Sequence, residues 1–96
     1  MNFATQTDYR SLIKNGAIVV DVRTKDEYAS GHVQGSLNIP LDTIDMRIAD
    51  LKAMHKPVIA VCRSGARSSV AASVLHGAGI EVYNAGGWTD LDRVIR

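Results

Sequence analysis

Two continuous apolar runs, residues 17–22 and 58–61, constrain the fold of this chain more than any other feature. Each run has the length of a strand, and neither alternates between apolar and polar side chains as a half-exposed strand does. A strand that is apolar on both sides needs cover on both faces, which is typical of a parallel sheet with helices on each side. We therefore expect both runs to lie inside such a sheet.

Helix signals lie between the predicted strands. Thr24 and Glu27 have the spacing of a capping box, which predicts a short helix that ends near residues 30–31. A second helix is predicted over residues 42–54, where apolar side chains recur at i, i+4 and i+7. These side chains are Ile44, Ile48 and Leu51. The spacing places them on one face, which we expect to pack against the sheet.

The remaining segments continue an alternating order of strands and helices. Helices are predicted after a cap at Thr5 or Thr7, over residues 68–76, and after a cap at Thr89. Strands are predicted at residues 3–5, 36–39 and 80–83, with residues 84–87 as a loop. This alternation predicts an α/β domain with a mainly parallel sheet flanked by helices.

Length and composition indicate one folded domain over residues 1–96. The chain is 46% apolar and 22% charged, as expected for a globular protein. Its formal net charge of +1 gives no basis for a nucleic-acid-binding surface or a polybasic membrane anchor. No apolar run approaches the length of a membrane span.

A single cysteine cannot form an internal disulfide, so the fold does not depend on an oxidising compartment. The first ten residues lack an apolar segment of signal-peptide length. We therefore expect a cytoplasmic protein. A domain of a longer protein and a mature secreted form are both compatible with the same observations.

The single cysteine lies where a predicted strand meets a predicted helix. Cys62 opens the segment Cys-Arg-Ser-Gly-Ala-Arg, residues 62–67. Backbone N–H groups at a helix start are unpaired and carry positive partial charge, so they lower the pKa of a nearby thiol. An inert buried cysteine is the alternative, but it accounts for neither Gly65 nor the two arginines, Arg63 and Arg67. We predict that Cys62 is a nucleophile.

The length of this segment separates it from a phosphatase loop. Four residues lie between Cys62 and Arg67. Cysteine phosphatases and low-molecular-weight arsenate reductases use a loop one residue longer, which surrounds a tetrahedral dianion. Here the position one further on is Ser68, and Val61 precedes the cysteine where tyrosine phosphatases usually have histidine. The shorter loop suits a smaller target, such as one sulfur atom bonded to the cysteine.

Several short motifs, in order along the chain, resemble those of the single-domain rhodanese family. They are Asp21-Val22-Arg23, Glu27-Tyr28, Gly31-His32, Gly35-Ser36, Asn38-Ile39-Pro40, residues 62–68 and Asn84-Ala85-Gly86-Gly87-Trp88. The resemblance implies a rhodanese-like three-layer α/β sandwich, with about five mainly parallel strands and helices on both faces. It also implies thiosulfate sulfurtransferase activity through a persulfide on Cys62, with no metal and no organic cofactor.

The expected reaction moves a sulfane sulfur from thiosulfate or a persulfide donor to cyanide or a thiol acceptor. Arg67 matches the family's loop arginine, and we expect Arg67 and Arg63 to bind the anionic donor. The loop N–H groups are expected to bind the terminal sulfur of the persulfide. These N–H groups belong to residues 63–68, so the predicted site also includes Ser64, Gly65, Ala66 and Ser68. Ser68 is also a candidate N-cap.

Asp21 and Arg23 are the predicted supporting residues. Both lie at the end of a predicted strand, and ligands of open α/β sheets bind outside the carboxyl ends of strands. We expect Asp21 to be a structural partner for a loop N–H or an arginine rather than an acid or base. Arg23 is expected to fix a turn or to pair with Glu27.

The histidines are not expected to take part in the chemistry. His32 lies in a Gly-His turn and is predicted to be a structural hydrogen-bonding residue. His32, His55 and His76 do not have the spacing of metal ligands, and no second cysteine is available. We predict no metal site.

Two alternatives to an enzyme use the same segment. One is a persulfide relay module that a partner protein loads, with little activity on thiosulfate. The other is a regulatory domain without catalysis, which the presence of both Cys62 and Arg67 disfavours.

Overall fold

The computed structural model describes residues 7–96. Its α-helices are α1 (Tyr9–Lys14), α2 (Lys25–Ala29), α3 (Ile48–Met54), α4 (Ala66–Gly77) and α5 (Trp88–Ile95). Its strands are β1 (Ile18–Asp21), β2 (Leu37–Asn38), β3 (Val58–Cys62) and β4 (Val82–Gly87), and a 3-10 helix spans Leu41–Arg47. The predicted alternation of strands and helices is confirmed.

The four strands form one parallel sheet in the order β2-β1-β3-β4. Each connection between strands therefore passes over a face of the sheet, and the helices cover both faces. The predicted strand at residues 3–5 lies outside the described residues. The predicted class, an α/β domain with a parallel sheet between helical layers, is confirmed, with four strands in residues 7–96 where about five were expected.

Two apolar clusters on opposite faces explain the continuous apolar runs. On one face, side chains of β1 and β3 pack with the 3-10 helix, α3 and α4; this cluster includes Val20, Val58, Ile44, Leu51 and Leu75. On the other face they pack with α1 and α5; this cluster includes Val19, Ile59, Val61, Leu12 and Leu91. Successive residues of a strand face opposite sides, so both must be apolar when both sides are covered.

The capping box predicted for α2 is present. The Thr24 hydroxyl accepts the Glu27 N–H at 3.3 Å, and Glu27 Oε1 accepts the Thr24 N–H at 3.1 Å. The first helix begins differently, because Asp8 is its cap and accepts the Ser11 N–H at 3.1 Å. The prediction of Thr7 as the cap is therefore wrong, and the alternative, Thr5, lies outside the described residues.

The helix predicted over residues 42–54 is divided. Leu41–Arg47 is a 3-10 helix, and the α-helix begins only at Ile48. Thr43 takes a three-residue turn after Pro40, whose carbonyl accepts both the Thr43 N–H and the Thr43 hydroxyl. The predicted apolar face nevertheless survives the break, since Ile44 and Leu51 are both buried.

The last strand begins later and runs further than residues 80–83. The Ile80 N–H donates to Leu75 O at the end of α4, so its backbone completes the helix terminus. The predicted loop at residues 84–87 belongs to β4, which is bulged where Ala60 pairs with Asn84 and Val61 with Gly86. The extension of β4 matters for the site because it places Asn84 next to Ser68 of α4.

The final helix is capped by Gly87, and the prediction of Thr89 as its cap is wrong. β4 passes directly into α5 at this residue. A Cβ on Gly87 would lie 2.9 Å from Arg63 O, so the close approach of the loop after β3 requires glycine here.

Candidate active site

Cys62 is the last residue of β3, and only three residues separate it from α4. The predicted start of this helix at Ser68 is two residues too late, because α4 begins at Ala66 with Gly65 as its cap. Gly65 has φ +103°, and a Cβ there would lie 3.3 Å from Gly86 Cα. This left-handed conformation favours glycine and turns the backbone sharply towards the thiol.

The turn surrounds the sulfur with hydrogen-bond donors. The Gly65 N–H donates to Cys62 Sγ at 3.0 Å, and Ser68 Oγ lies 3.4 Å from the same sulfur. Cys62 itself is buried, with 1% of its surface exposed. Burial opposes ionisation of the thiol, but hydrogen bonds from the Ser68 hydroxyl and the backbone N–H groups of Ser68, Gly65 and Ser64 hold the pKa of Cys62 below its ordinary value.

Ser68 connects the cysteine to β4. It lies in the first turn of α4 and is buried, so the alternative of an N-cap at Ser68 is wrong. Its hydroxyl lies 2.7 Å from Asn84 Oδ1 and 3.2 Å from Gly65 O, as well as near the sulfur. Asn84 was missed as a site residue because the sequence predicts a loop at this position.

Arg67 forms a two-point ion pair with Glu27 of α2. Nη1 lies 2.7 Å from Oε1, and Nη2 lies 3.0 Å from Oε2. The Arg67 guanidinium, together with the Thr24 hydrogen bonds, lowers the pKa of Glu27 from 4.5 to about 2. The sequence predicted Glu27 as a capping residue and as a possible partner of Arg23, so its ion pair with Arg67 was missed. Binding of a substrate anion by Arg67 stays a prediction.

Asp21 and Arg23 form a buried pair at the end of β1. Arg23 Nε lies 2.9 and 3.0 Å from the two Asp21 carboxylate oxygens, and Nη2 lies 2.7 Å from Oδ2. Arg23 also donates to the carbonyl oxygens of Glu27 and Gly31. Of the two predicted roles, Arg23 fixes the chain turn, whereas an ion pair with Glu27 does not form because that carboxylate bonds Arg67. The buried pair instead fixes the chain from β1 through α2.

The other predicted site residues lie on the surface of the loop. Arg63, Ser64 and Ala66 are exposed, so their side chains can meet a ligand from solvent. His32 is used within the turn after α2, where its Nδ1 lies 2.8 Å from Tyr28 O and its ring stacks on Tyr28 at 3.7 Å.

A small cleft adjoins Arg67 at the carboxyl edge of the sheet. It has a volume of about 300 Å³ and is lined by Val22, Thr24, Pro40, Leu41, Asp42 and Arg67. A larger groove of about 640 Å³ lies at the opposite edge, near Pro57, Ile80 and Glu81, before β3 and β4 begin. Size alone therefore does not identify the site, whereas the chemistry around Cys62 does.

Two searches cover residues 7–96. In this range, no group of three or more His, Cys, Asp or Glu side chains is arranged to hold a metal ion. No helix in the same range has both the length and the apolar character to cross a membrane.

Comparisons with known proteins agree on one family. The Rhodanese-like domain family matches residues 5–93. Uncharacterized protein YqhL of Bacillus subtilis is 34% identical over 88 residues, which cover 91% of this chain and 68% of that protein. Thiosulfate sulfurtransferase GlpE of Ectopseudomonas mendocina is 39% identical over 87 residues, which cover 88% of this chain and 77% of that protein.

Comparison with a solved structure indicates the same family. An Escherichia coli structure described as "rhodanese with anions" aligns with a TM-score of 0.69 at 37% identity. The alignment covers 78% of this chain and 91% of that one. The four-strand sheet and its surrounding helices are thus those of the same fold.

Proposed function

Since the chain belongs to the rhodanese-like domain family, we propose that it is a sulfurtransferase that carries a sulfane sulfur as a persulfide on Cys62. The observation that carries this proposal is the position of the Cys62 sulfur. It lies at the end of β3, 3.0 Å from the Gly65 N–H, in a loop that lowers its pKa. A thiol with a lowered pKa is ionised to a larger fraction at neutral pH, and the thiolate is the nucleophilic form.

In the first step, the Cys62 thiolate attacks the outer sulfur of thiosulfate. A bond forms between Cys62 Sγ and that sulfur, the sulfur–sulfur bond of thiosulfate breaks, and its electron pair leaves with sulfite. One negative charge then resides on the terminal sulfur of the Cys62 persulfide. Charge is conserved, since a monoanion and a dianion give a monoanion and a dianion.

The loop that stabilises the thiolate is also suited to the persulfide. The N–H groups of Ser64, Gly65 and Ser68 lie against the Cys62 sulfur at the start of α4, where helix geometry leaves the first N–H groups without intrahelical partners. Donors fixed in advance where negative charge resides stabilise it without reorganisation. In the second step, cyanide or a thiolate attacks the terminal sulfur, and the Cys62 thiolate leaves. Neither displacement requires a metal or a redox cofactor.

Arg67 and Arg63 are the proposed binding residues for the anionic donor. Arg67 borders the 300 Å³ cleft, and Arg63 is exposed on the loop. A guanidinium binds multidentate oxyanions well. The Escherichia coli neighbour, described as a rhodanese with anions, supports an anionic donor. Because Glu27 already engages Arg67, the donor must compete with this carboxylate or share the guanidinium with it.

The test is thiocyanate formation from thiosulfate and cyanide. Wild-type protein is expected to turn over with ping-pong kinetics, and the Cys62→Ala variant is expected to be inactive. The Cys62→Ser variant is the matched control, since it keeps a polar group of similar size. Activity that survives either substitution would contradict the proposal.

A specific observation favours a relay module as the second candidate. The Arg67 charge is partly neutralised by Glu27, which weakens the attraction of a free inorganic anion to the site. A cysteine desulfurase partner would then load Cys62, and thiosulfate would load it poorly. Intact mass after exposure to each donor separates the two candidates. A relay module gains a sulfur atom from the desulfurase and none from thiosulfate, whereas a thiosulfate sulfurtransferase gains one from thiosulfate.

A further inference from the structure

Asn84 contacts the cysteine loop and the first turn of α4 through its side-chain amide. Its Oδ1 accepts the Gly86 N–H at 3.0 Å, which orients the amide with its oxygen towards Ser68. The Ser68 hydroxyl donates to this oxygen at 2.7 Å. Asn84 Nδ2 also lies 3.4 Å from Gly65 O, on the residue whose N–H bonds the sulfur. Asn84 thus contacts Ser68 and Gly65, the two residues whose side chain and N–H approach the sulfur, and forms no hydrogen bond with the sulfur itself.

The Ser68 hydroxyl has one proton and several neighbours that can accept it. Asn84 Oδ1 at 2.7 Å is the shortest contact, followed by Gly65 O at 3.2 Å and Cys62 Sγ at 3.4 Å. While the proton lies towards Asn84, Ser68 Oγ presents a lone pair to the sulfur. That arrangement suits the thiol form of Cys62, whose S–H can then donate to Ser68.

The anionic forms of the cysteine need the opposite arrangement. When Cys62 loses its proton to solvent, the thiolate accepts hydrogen bonds and donates none. The Ser68 hydroxyl can donate a hydrogen bond to the thiolate only when its proton turns from Asn84 towards the sulfur. Asn84 and the thiolate therefore compete for the same donor.

We propose that Asn84 is a positioning residue that holds the Ser68 proton away from Cys62 in the thiol state, so that ionisation of Cys62 requires this hydroxyl to change partner. The inference deepens the proposed function and rests on it, since it assigns a control on the proposed nucleophile. The role belongs to Asn84 because of the bulge in β4, which pairs Asn84 with Ala60 and places Gly86, two residues on, opposite Val61.

The charged groups on the loop and on the neighbouring elements stay unchanged in the test. They are Arg63 and Arg67 on the loop and α4, Glu27 on α2, Asp21 and Arg23 at the end of β1, and Asp90 at the start of α5. Arg67 pairs with Glu27, Arg23 with Asp21, and Arg93 with Asp90. None of these pairs involves Asn84 or Ser68, so substitutions at those two positions leave them in place.

The experiment is the pH dependence of the rate of Cys62 alkylation by iodoacetamide. Asn84→Ala frees the Ser68 proton for the thiolate and is expected to lower the pKa of Cys62 by about half a unit, whereas Ser68→Ala removes the donor and raises it by about one unit. The Asn84→Ala change is expected to have no effect in the Ser68→Ala background. Asn84→Asp keeps an acceptor, adds a negative charge and is expected to raise the pKa, which provides a second variant of opposite sign.

Two results would overturn the proposal. One is an alkylation curve of Asn84→Ala that matches the wild-type curve. The other is a shift in the pKa of Cys62 that Asn84→Ala produces in full in the Ser68→Ala background. Thermal melts verify that each variant is folded. Alkylation uses no sulfur donor, so it fails or succeeds independently of the sulfurtransferase assay. If the wild-type protein forms no thiocyanate while the variants show the expected shifts in the pKa of Cys62, the proposed function is rejected and the role of Asn84 at the thiol stands.

Discussion

The guanidinium of Arg67 and the carboxylate of Glu27 meet across 40 positions of sequence in a two-point ion pair of 2.7 and 3.0 Å. Arg67 lies in the first turn of α4, and Glu27 lies in the first turn of α2. The pair therefore connects the start of α4, which directly follows the cysteine loop, to α2. It also sets how much positive charge remains for an anionic substrate.

Replacing Arg67 with Ala is expected to lower kcat/KM for thiosulfate about 10- to 100-fold, because hydrogen bonds to charged groups contribute about 1.5–3 kcal/mol. Most of the loss should appear in KM, since the guanidinium binds the donor and does not react. Arg63→Ala is the comparison, as it removes the same charge from an exposed loop position. Steady-state thiocyanate assays measure both. An unchanged KM in Arg67→Ala would show that Arg67 pairs with Glu27 and does not bind the donor.

Replacing Glu27 with Gln should change the pH dependence of stability. The pKa of Glu27 falls from 4.5 to about 2 in the folded protein, chiefly through Arg67. A carboxylate with a lowered pKa stabilises the fold above its unfolded pKa, and this contribution is lost as the pH falls through the folded value. Gln still completes a capping box, so the ion pair is the main loss.

Urea denaturation of both proteins at pH 6 and pH 3 tests this prediction. The wild type is expected to be more stable than Glu27→Gln at pH 6, and the difference should shrink below pH 4.5 as the pH approaches the folded pKa of about 2. A difference that is as large at pH 3 as at pH 6 would mean that the ionised carboxylate is not what stabilises the fold.

Asp21→Asn should destabilise the fold by about 3–5 kcal/mol, since it leaves the Arg23 charge buried without a counter-charge. The two side chains are 0% and 5% exposed. Asp50→Asn makes the same chemical change in the exposed pair with Arg47, where the side chains are 70% and 46% exposed, and should cost at most about 1 kcal/mol. Equal unfolding free energies for the two variants would contradict a structural role for the buried pair.

Gly65→Ala and Gly77→Ala are expected to have opposite effects. Gly65 has φ +103° and a near neighbour in Gly86, so a Cβ there strains the loop. Gly77 ends α4 with nothing within 4 Å of the added Cβ, so alanine there should stabilise by about 0.4–1 kcal/mol. Thermal unfolding measures both, and alkylation rates should fall only for Gly65→Ala. A stabilising Gly65→Ala would rule out the strained turn as the reason for glycine.

The sequence predicts those parts of the fold that local chemistry determines. The capping box of Thr24 and Glu27 depends on a three-residue spacing, and it forms as expected. The continuous apolar runs predict strands covered on both faces, because the side-chain period of a strand is two. Cys62 was likewise placed correctly at the end of a strand and the start of a helix.

The rest depends on contacts between distant segments. Nothing near Glu27 indicates that its carboxylate meets Arg67, since the two residues lie 40 positions apart and only the folded chain brings them together. Asn84 lies in a segment with turn-forming residues, and pairing with β3 overrides that local preference and makes it a strand. The backbone of Ile80 completes the end of α4, which moves the start of the last strand to Val82. A single sequence contains no local signal for these pairings.

The central claim is that Cys62 carries the transferred sulfur, and intact mass spectrometry tests it most directly. Wild-type protein is incubated with thiosulfate, separated from it and weighed, then treated with cyanide and weighed again. The account predicts a mass increase of one sulfur atom that cyanide removes, and no increase in Cys62→Ser. The same increase in Cys62→Ser, or an adduct that cyanide leaves in place, would contradict a persulfide on Cys62.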